Sequence, residues 1–153
     1  MQNIGRVAAK FREAGFNITN QRLSIFGFLK DNKDHPSAEK IYDEIRKIHP
    51  SISVTTVYKT LQAMKNMGEI QELTIAKQKV HYDPNTCEHI HIFCERCGTI
   101  EDLIWSDFML RNIRAFGFGK LPFEVQRVQL YLVGLCNNCR QKGSKKVESN
   151  ASF

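Results

Sequence analysis

A chain of 153 residues, of which 42% are hydrophobic, is long enough for one ordinary domain or two small ones and apolar enough to give each a core. This composition favours a folded chain over a disordered one. We find neither an apolar run of transmembrane length nor a signal peptide, so we expect a cytoplasmic protein with no membrane partner. The net charge of +6 is uneven, because residues 1–80 contain 13 Lys and Arg against 8 Asp and Glu, whereas residues 81–139 contain 5 against 7. A basic half is typical of a nucleic-acid-binding module, although a solvated basic surface has the same composition.

The first half of the chain is predicted to form a winged helix-turn-helix. Apolar residues at helical spacing predict four helices, over residues 4–14, 19–30, 37–48 and 53 to about 67. Thr19 and Ser53 are suited to cap two of them, and Gly68 is placed to end the last in a left-handed conformation. Two alternating segments, residues 69–74 and 79–83, then predict a β-hairpin around residues 76–78. Helices followed by such a hairpin make a winged helix.

The fourth helix is the predicted DNA-recognition helix. Its inner side is predicted to contain Val54, Val57, Leu61 and Met64. Its outer side would then present Thr55, Thr56, Tyr58, Lys59 and Gln62. Short hydrogen-bonding groups, a cation and an aromatic ring are what a helix needs to contact base edges in the major groove. An ordinary amphipathic helix has the same polar outside. The neighbouring helix, the hairpin and the basic charge favour DNA binding, and no enzyme site is visible in this half.

The second half is predicted to be a separate α+β domain. Asp83, Pro84 and Asn85 are turn formers, which places a DNA-binding domain at residues 1–83, a hinge at 84–86 and a metal-binding domain at 87–142. Strands are predicted over residues 89–93, 99–104 and 123–134, with a helix near residues 106–116. Residues 143–153 are polar and charged, and we expect them to be a disordered tail.

Four of the five cysteines form two Cys-x-x-Cys pairs, which are Cys94 with Cys97 and Cys136 with Cys139. Each pair can present two thiolates to one tetrahedral ion, and two pairs complete its coordination. Such a closed site predicts structural zinc that links the domain's first strand to its last. The alternative is a redox-active dithiol, which would make the chain an oxidoreductase. No set of residues provides a nucleophile, a base and an open metal position together, so we expect no enzyme.

Harder metal ligands are more widely spread, at His35, Asp83, His89, His91 and Asp102. Residues two apart on a strand face the same side, so His89 and His91 can bind one ion together. Nitrogen and carboxylate donors suit iron(II) or manganese(II) better than thiolates would. Taken singly, His35 is equally a loop residue, Asp83 a turn former and Asp102 a surface charge.

Four stretches together resemble the ferric uptake regulator family, over about residues 4–140. They are Asn17-Ile-Thr-Asn-Gln-Arg22, His35-Pro-Ser-Ala-Glu-Lys-Ile-Tyr42, Ser53-Val-Thr-Thr-Val-Tyr-Lys-Thr-Leu61 and His89-Ile-His-Ile-Phe-Cys-Glu-Arg-Cys97-Gly98. The resemblance implies an N-terminal winged helix with Asn17 and Arg22 among its DNA contacts. It also implies a C-terminal dimerisation domain with a four-cysteine zinc, and a homodimer that represses transcription from a double-stranded DNA operator.

The resemblance joins the five harder ligands into one regulatory iron(II) or manganese(II) site at the hinge. The aspartate at position 102 resembles the peroxide-sensing branch of the family, whereas many iron-sensing members have a glutamate at this position. This implies that peroxide is the signal, with His35 and His89 as the residues oxidised by the iron. Reversible sensing of iron is the alternative.

The chain departs from the family pattern at two positions. Asn17 stands where many members have a basic residue that reaches the minor groove. Cys87 is either a plain thiol or a soft ligand that would favour zinc sensing. No histidine lies at residues 126–129, so we expect no accessory metal site there.

Overall fold

The chain divides into two compact units, residues 1–87 and residues 88–153. The structure, a computed structural model, describes residues 4–75, 79–87, 89–103, 122–124 and 129–147. Within these residues no helix is both long enough and apolar enough to cross a membrane. The division falls beside the turn predicted at residues 84–86.

The described part of the first unit contains four helices and two strands, namely α1 (Ile4–Glu13), α2 (Asn20–Leu29), α3 (Ala38–Ile48), α4 (Val54–Asn66), β1 (Gln71–Leu73) and β2 (His81–Asp83). Thr19, Ser37 and Ser53 are the N-caps of α2, α3 and α4, and each side-chain oxygen accepts a hydrogen bond from the backbone N–H three residues later. Gly68 has a φ of +68°, which a side chain would disfavour. The predicted caps and the left-handed glycine are confirmed.

The core of the first unit is formed by the inner sides of the four helices. Val57, Leu61 and Met64 of α4 are at most 1% exposed, as predicted. Val54 is 47% exposed, so the prediction that it lies on the inner side of α4 is wrong, and Ile48 of α3 is likewise exposed, at 67%. Each is a terminal residue of its helix. Helical spacing gives the direction of a side chain, but it does not say how far the packed neighbours extend along the axis.

Strands β1 and β2 pair antiparallel, with Gln71 opposite Asp83 and Leu73 opposite His81. The predicted hairpin pairing is therefore present, while its turn at residues 76–78 lies outside the described residues. Strand β2 is also attached to the segment before α3. The backbone N–H of Tyr82 donates to the carbonyl of Pro36 at 3.0 Å, and Ser37 and His81 form an antiparallel bridge.

In the described residues of the second unit, a three-stranded sheet in the order β4-β3-β5 and a helix are present, with β3 at Ile90–Cys94, β4 at Ile100–Leu103, β5 at Tyr131–Gly134 and α5 at Asn137–Val147. Strand β3 pairs antiparallel with β4 and parallel with β5. The helix predicted near residues 106–116 lies outside the described residues. The strand predicted over residues 123–134 is shorter, because Phe123, Glu124, Gln129 and Leu130 are not in a strand.

The disordered tail predicted from Gly143 is wrong for residues 143–147, which continue α5. The prediction rested on polarity alone. Extending a helix that has already formed is far easier than starting one, so a polar segment can stay helical when a packed residue lies in the first turn. Cys139, in the first turn of α5, is that buried residue. Residues 148–153 lie outside the described residues.

Candidate metal centres

The four sulfur atoms of Cys94, Cys97, Cys136 and Cys139 lie within 4.8 Å of one another in the second unit. Cys97 Sγ and Cys136 Sγ are 3.7 Å apart, much farther than the roughly 2.05 Å of a disulfide. Four sulfurs at about 2.3 Å from a tetrahedral zinc ion would be about 3.8 Å from each other. The spacing and the all-sulfur donor set therefore both fit zinc.

Two short turns bring the cysteine pairs together. Cys94 ends β3, its N–H donates to the Thr99 carbonyl at 2.9 Å, and its carbonyl accepts from the Gly98 N–H at 2.8 Å. Gly98 has a φ of +75°, which only glycine adopts readily. Because β5 runs parallel to β3, with Gly134 opposite Cys94, the chain reaches Cys136 at the same end of the sheet.

The protein environment changes the acidity of the Cys94, Cys97 and Cys139 thiols. The backbone N–H of Cys136 donates to Cys94 Sγ at 3.3 Å, and this contact is the main cause of a Cys94 pKa lowered to about 6. A hydrogen bond with the Thr99 hydroxyl lowers the pKa of Cys97. Burial raises the pKa of Cys139 to about 12. The turns thus favour thiolates at one pair, whereas the buried Cys139 thiolate requires a positive ion beside it.

A second cluster in this unit contains His89, His91 and Asp102. His89 precedes β3, and His91 lies directly opposite Asp102 in the β3–β4 pair. The Oδ1 atom of Asp102 is 3.2 Å from His89 Nε2 and 3.7 Å from His91 Nε2, and the two imidazole rings are 4.3 Å apart. The predicted grouping of the two histidines is therefore present. Two nitrogens and one carboxylate oxygen converge. Such donors are harder than thiolates and suit harder divalent cations than a four-thiolate site does.

The first unit contains a separate pair of donors, His35 and Asp83, each 1% exposed. His35 Nε2 lies 3.8 Å from Asp83 Oδ1. Asp83 Oδ2 accepts a hydrogen bond from Gln71 Nε2 at 2.8 Å, and Oδ1 accepts from the Asn85 N–H at 2.7 Å. These bonds orient the carboxylate, and a buried carboxylate beside a buried imidazole fits a cation.

Two residues around this pair were not identified by sequence reasoning. Gln71 is one, since it binds Asp83 from the partner strand. His81 is the other, and its Nδ1 lies 2.6 Å from the His35 carbonyl oxygen. The available signal was strand periodicity, because His81 lies two residues before Asp83 and so on the same side of β2.

Helix α4, the predicted recognition helix, has a polar outer side, as expected from the sequence. Thr55, Tyr58, Lys59 and Gln62 are exposed, and Thr56 is half-buried. The Thr56 hydroxyl lies 2.9 Å from that of Ser53, and the Gln62 amide donates to Asn66 at 2.8 Å within the helix. The Tyr58 hydroxyl donates to Glu39 of α3 at 3.4 Å. Partial burial, followed by the Glu39 charge, raises the pKa of Tyr58.

The two other predicted DNA contacts are Asn17, in the segment before α2, and Arg22, in the first turn of α2. Asn17 is exposed, whereas Arg22 is half-buried. The Arg22 guanidinium donates to the Asn17 carbonyl and lies 5.2 Å from the centre of the Phe16 ring. Arg22 therefore has partners within its own unit. Cys87 is exposed and belongs to neither metal cluster among the described residues.

The chain is similar to proteins of known family. A sequence profile described as "Ferric uptake regulator family" matches residues 13–133. The peroxide-responsive repressor PerR of Staphylococcus epidermidis is 34% identical over 136 residues, which cover 89% of each chain. The crystal structure of the Campylobacter jejuni peroxide stress regulator has a TM-score of 0.67 and 32% identity, covering 91% of this chain and all of that one. The Helicobacter pylori ferric uptake regulator has a TM-score of 0.74 at 21% identity, over 91% of this chain and 95% of that one, which shows a shared fold.

Proposed function

The chain belongs to the ferric uptake regulator family, and on that premise we propose that it is a cytoplasmic, homodimeric repressor that senses peroxide through a regulatory metal site. It is a metal-responsive DNA-binding regulator of the α+β type, with an N-terminal DNA-binding domain and a C-terminal dimerisation domain. The finer part of the proposal is the signal. It is supported by relatives named as peroxide-responsive repressors and by the donors around Asp102.

The proposed regulatory site combines the donors of both units, His35, Asp83, His89, His91 and Asp102. Neither unit alone supplies more than three donors, whereas together they supply three imidazole nitrogens and two carboxylates. Only residues 84–88 separate Asp83 from His89 along the chain, so covalent connection limits how far the two sets can separate. Nitrogen with carboxylate oxygen suits iron(II) or manganese(II). An ion bound by both sets would favour one arrangement of the DNA-binding unit relative to the dimerisation unit.

That arrangement would determine DNA affinity in a homodimer. Two recognition helices bind successive half-sites well only when they lie about one helical turn of DNA apart. Metal loading would therefore shift the population toward the DNA-binding form. Loss of one ligand imidazole would release the constraint and the DNA, so that the silenced genes are expressed.

The observation that carries the peroxide proposal is the contact of His89 Nε2 with the short carboxylate of Asp102 at 3.2 Å. Iron(II), when bound, would activate peroxide beside the ligand imidazoles, so that one peroxide oxygen would be added to a ring carbon and the other would leave as water. Addition of an oxygen atom to the ring of His35 or His89 removes the donor character on which binding depends. The oxidised residue would then no longer bind the ion that joins the two sets of donors. Reversible iron sensing, without ring oxidation, remains the alternative.

Mass spectrometry of the protein loaded with iron(II) under anaerobic conditions and then treated with peroxide tests this proposal. We expect a peptide containing His35 or His89 to gain one oxygen atom, and DNA binding to be lost in proportion. Protein loaded with manganese(II) and treated in the same way is the control, and it should gain none. Loss of DNA binding without the oxygen gain would favour reversible iron sensing.

Dimerisation is proposed to use the apolar surface of the second unit. Ile92 of β3 and Leu132 of β5 lie side by side in register on one side of the sheet, and they are 37% and 44% exposed. Exposed apolar side chains that are contiguous on a sheet are typical of an association surface. Leu132→Lys should shift the zinc-loaded protein from dimer to monomer in sedimentation velocity. A dimer that persists in this variant would exclude this face.

A further inference from the structure

His81 makes a short contact with the backbone of a proposed metal ligand. Its Nδ1 atom lies 2.6 Å from the carbonyl oxygen of His35, although the residues are 46 positions apart. A carbonyl oxygen only accepts hydrogen bonds, so Nδ1 of His81 carries the hydrogen and donates it. The bond therefore attaches the strand β2 to the peptide group of His35 itself, and not merely to its neighbours.

The backbone of His35 needs such support. Its φ is +46°, a left-handed conformation that residues other than glycine rarely adopt. A conformation of this kind persists only when surrounding contacts hold it. On the other side of His35, Pro36 accepts from the Tyr82 N–H at 3.0 Å and Ser37 bridges to His81. Of these contacts, the His81 side chain is the one that reaches the His35 carbonyl.

The same strand also carries the second donor of this unit. His81 and Asp83 are two residues apart in β2, so both lie on one side of the strand. His35 Nε2 is 3.8 Å from Asp83 Oδ1. Strand β2 therefore carries Asp83 itself and contacts the His35 backbone through the His81 hydrogen bond.

We propose that His81 is a positioning residue of the regulatory metal site, which holds the His35 backbone in the conformation that directs its imidazole toward Asp83. This inference rests on the proposed function, since it requires that His35 and Asp83 bind the regulatory ion. Groups that orient metal ligands contribute to affinity almost as ligands do, and their loss commonly weakens binding about 10-fold to 100-fold. The hydrogen bond, and not the bulk of the ring, is the feature that matters.

The test compares His81→Leu with His81→Asn, because the two side chains have nearly the same shape and only asparagine keeps an N–H donor at the δ position. Manganese(II) affinity of the zinc-loaded, full-length protein is measured by electron paramagnetic resonance of the unbound ion. Zinc content and thermal unfolding before manganese is added check the fold of each variant. His35→Ala and the exposed neighbour Val80→Ala are the ligand control and the position control.

We expect His81→Leu to weaken manganese(II) binding about 10-fold or more, with His81→Asn close to wild type and Val80→Ala unchanged. Equal loss in the leucine and asparagine variants would overturn the proposal, because the ring and not the donor would then be responsible. Wild-type manganese(II) affinity in both His81 variants would also overturn the proposal. If His35→Ala is weakened in that case, the regulatory site itself would still be supported. Wild-type affinity in His35→Ala would overturn the proposed site, and the role of His81 with it.

Discussion

The Nε2 atom of His89 lies 3.2 Å from Oδ1 of Asp102, a contact between the residue that precedes β3 and a residue of the neighbouring strand β4. His91, directly opposite Asp102, shares the same oxygen atom at 3.7 Å. The position of one short carboxylate therefore determines the geometry around two imidazoles. An additional methylene at this position would move the oxygen while keeping its charge.

Asp102→Glu should separate metal binding from peroxide sensitivity. A displacement of about 1 Å at a reacting group can cost up to about 100-fold in rate, so we expect oxygen addition to His89 to slow roughly tenfold or more. Manganese(II) affinity should change less, because a carboxylate is still present. Quantitative mass spectrometry after a fixed peroxide dose measures the first effect, with Glu101→Asp on the same strand as control. Unaltered oxidation in Asp102→Glu would remove Asp102 as the determinant of the signal.

Cys136→Ser should abolish zinc binding and the folded state of the second unit. Structural zinc sites contribute about 10–16 kcal/mol to small domains, which is comparable to or larger than the roughly 5–15 kcal/mol that stabilises a typical domain. Hydrogen exchange of β3 and β5 should therefore accelerate strongly, while the helices α2 to α4 stay protected. Zinc analysis and hydrogen exchange are the measurements. Cys87→Ser is the matched control, because Cys87 is exposed and outside the cluster, and it should keep a full complement of zinc.

Local patterns were sufficient to predict much of the fold. The caps Thr19 and Ser53 are confirmed because an N-cap depends on one side chain and the N–H three residues later. The four-cysteine cluster was equally predictable, since the spacing within each Cys-x-x-Cys motif places its two thiols close enough to bind one ion. Similarly, His89 and His91 are grouped by strand periodicity alone.

Features that depend on distant contacts were not predictable. The hydrogen bond of His81 to His35 joins a strand to a loop 46 residues away, and the two residue types alone do not predict it. The exposure of Val54 and Ile48 depends on where the neighbouring helices end, which periodicity does not contain. Residues 143–147 are polar, so their composition alone did not predict a helix. They extend α5, which contains a buried cysteine in its first turn.

Leu61→Ala and Val54→Ala should differ sharply in their effect on stability, although both residues were assigned to the inner side of α4. Leu61 is fully buried, so truncation leaves a cavity and should lower the free energy of unfolding of the first unit by about 2–5 kcal/mol. Val54 is 47% exposed, and its truncation should cost less than about 1 kcal/mol. Urea unfolding followed by far-ultraviolet circular dichroism measures both. Equal losses would contradict the burial that separates them.

Lys59→Ala should weaken DNA binding without affecting zinc content or dimerisation. Lys59 is exposed on α4, the predicted recognition helix, beside the outward-facing Tyr58. If Lys59 contacts a phosphate, its loss should weaken binding to all sequences alike and reduce the salt dependence of affinity by about one unit of slope. The measurement is fluorescence anisotropy over a salt series, with the manganese-loaded protein and a duplex that the wild type has selected from random sequences. Lys47→Ala on α3 is the matched control, because that lysine is 67% exposed and paired with Glu44. Equal salt slopes for Lys59→Ala and the control would mean that α4 does not enter the groove by this face.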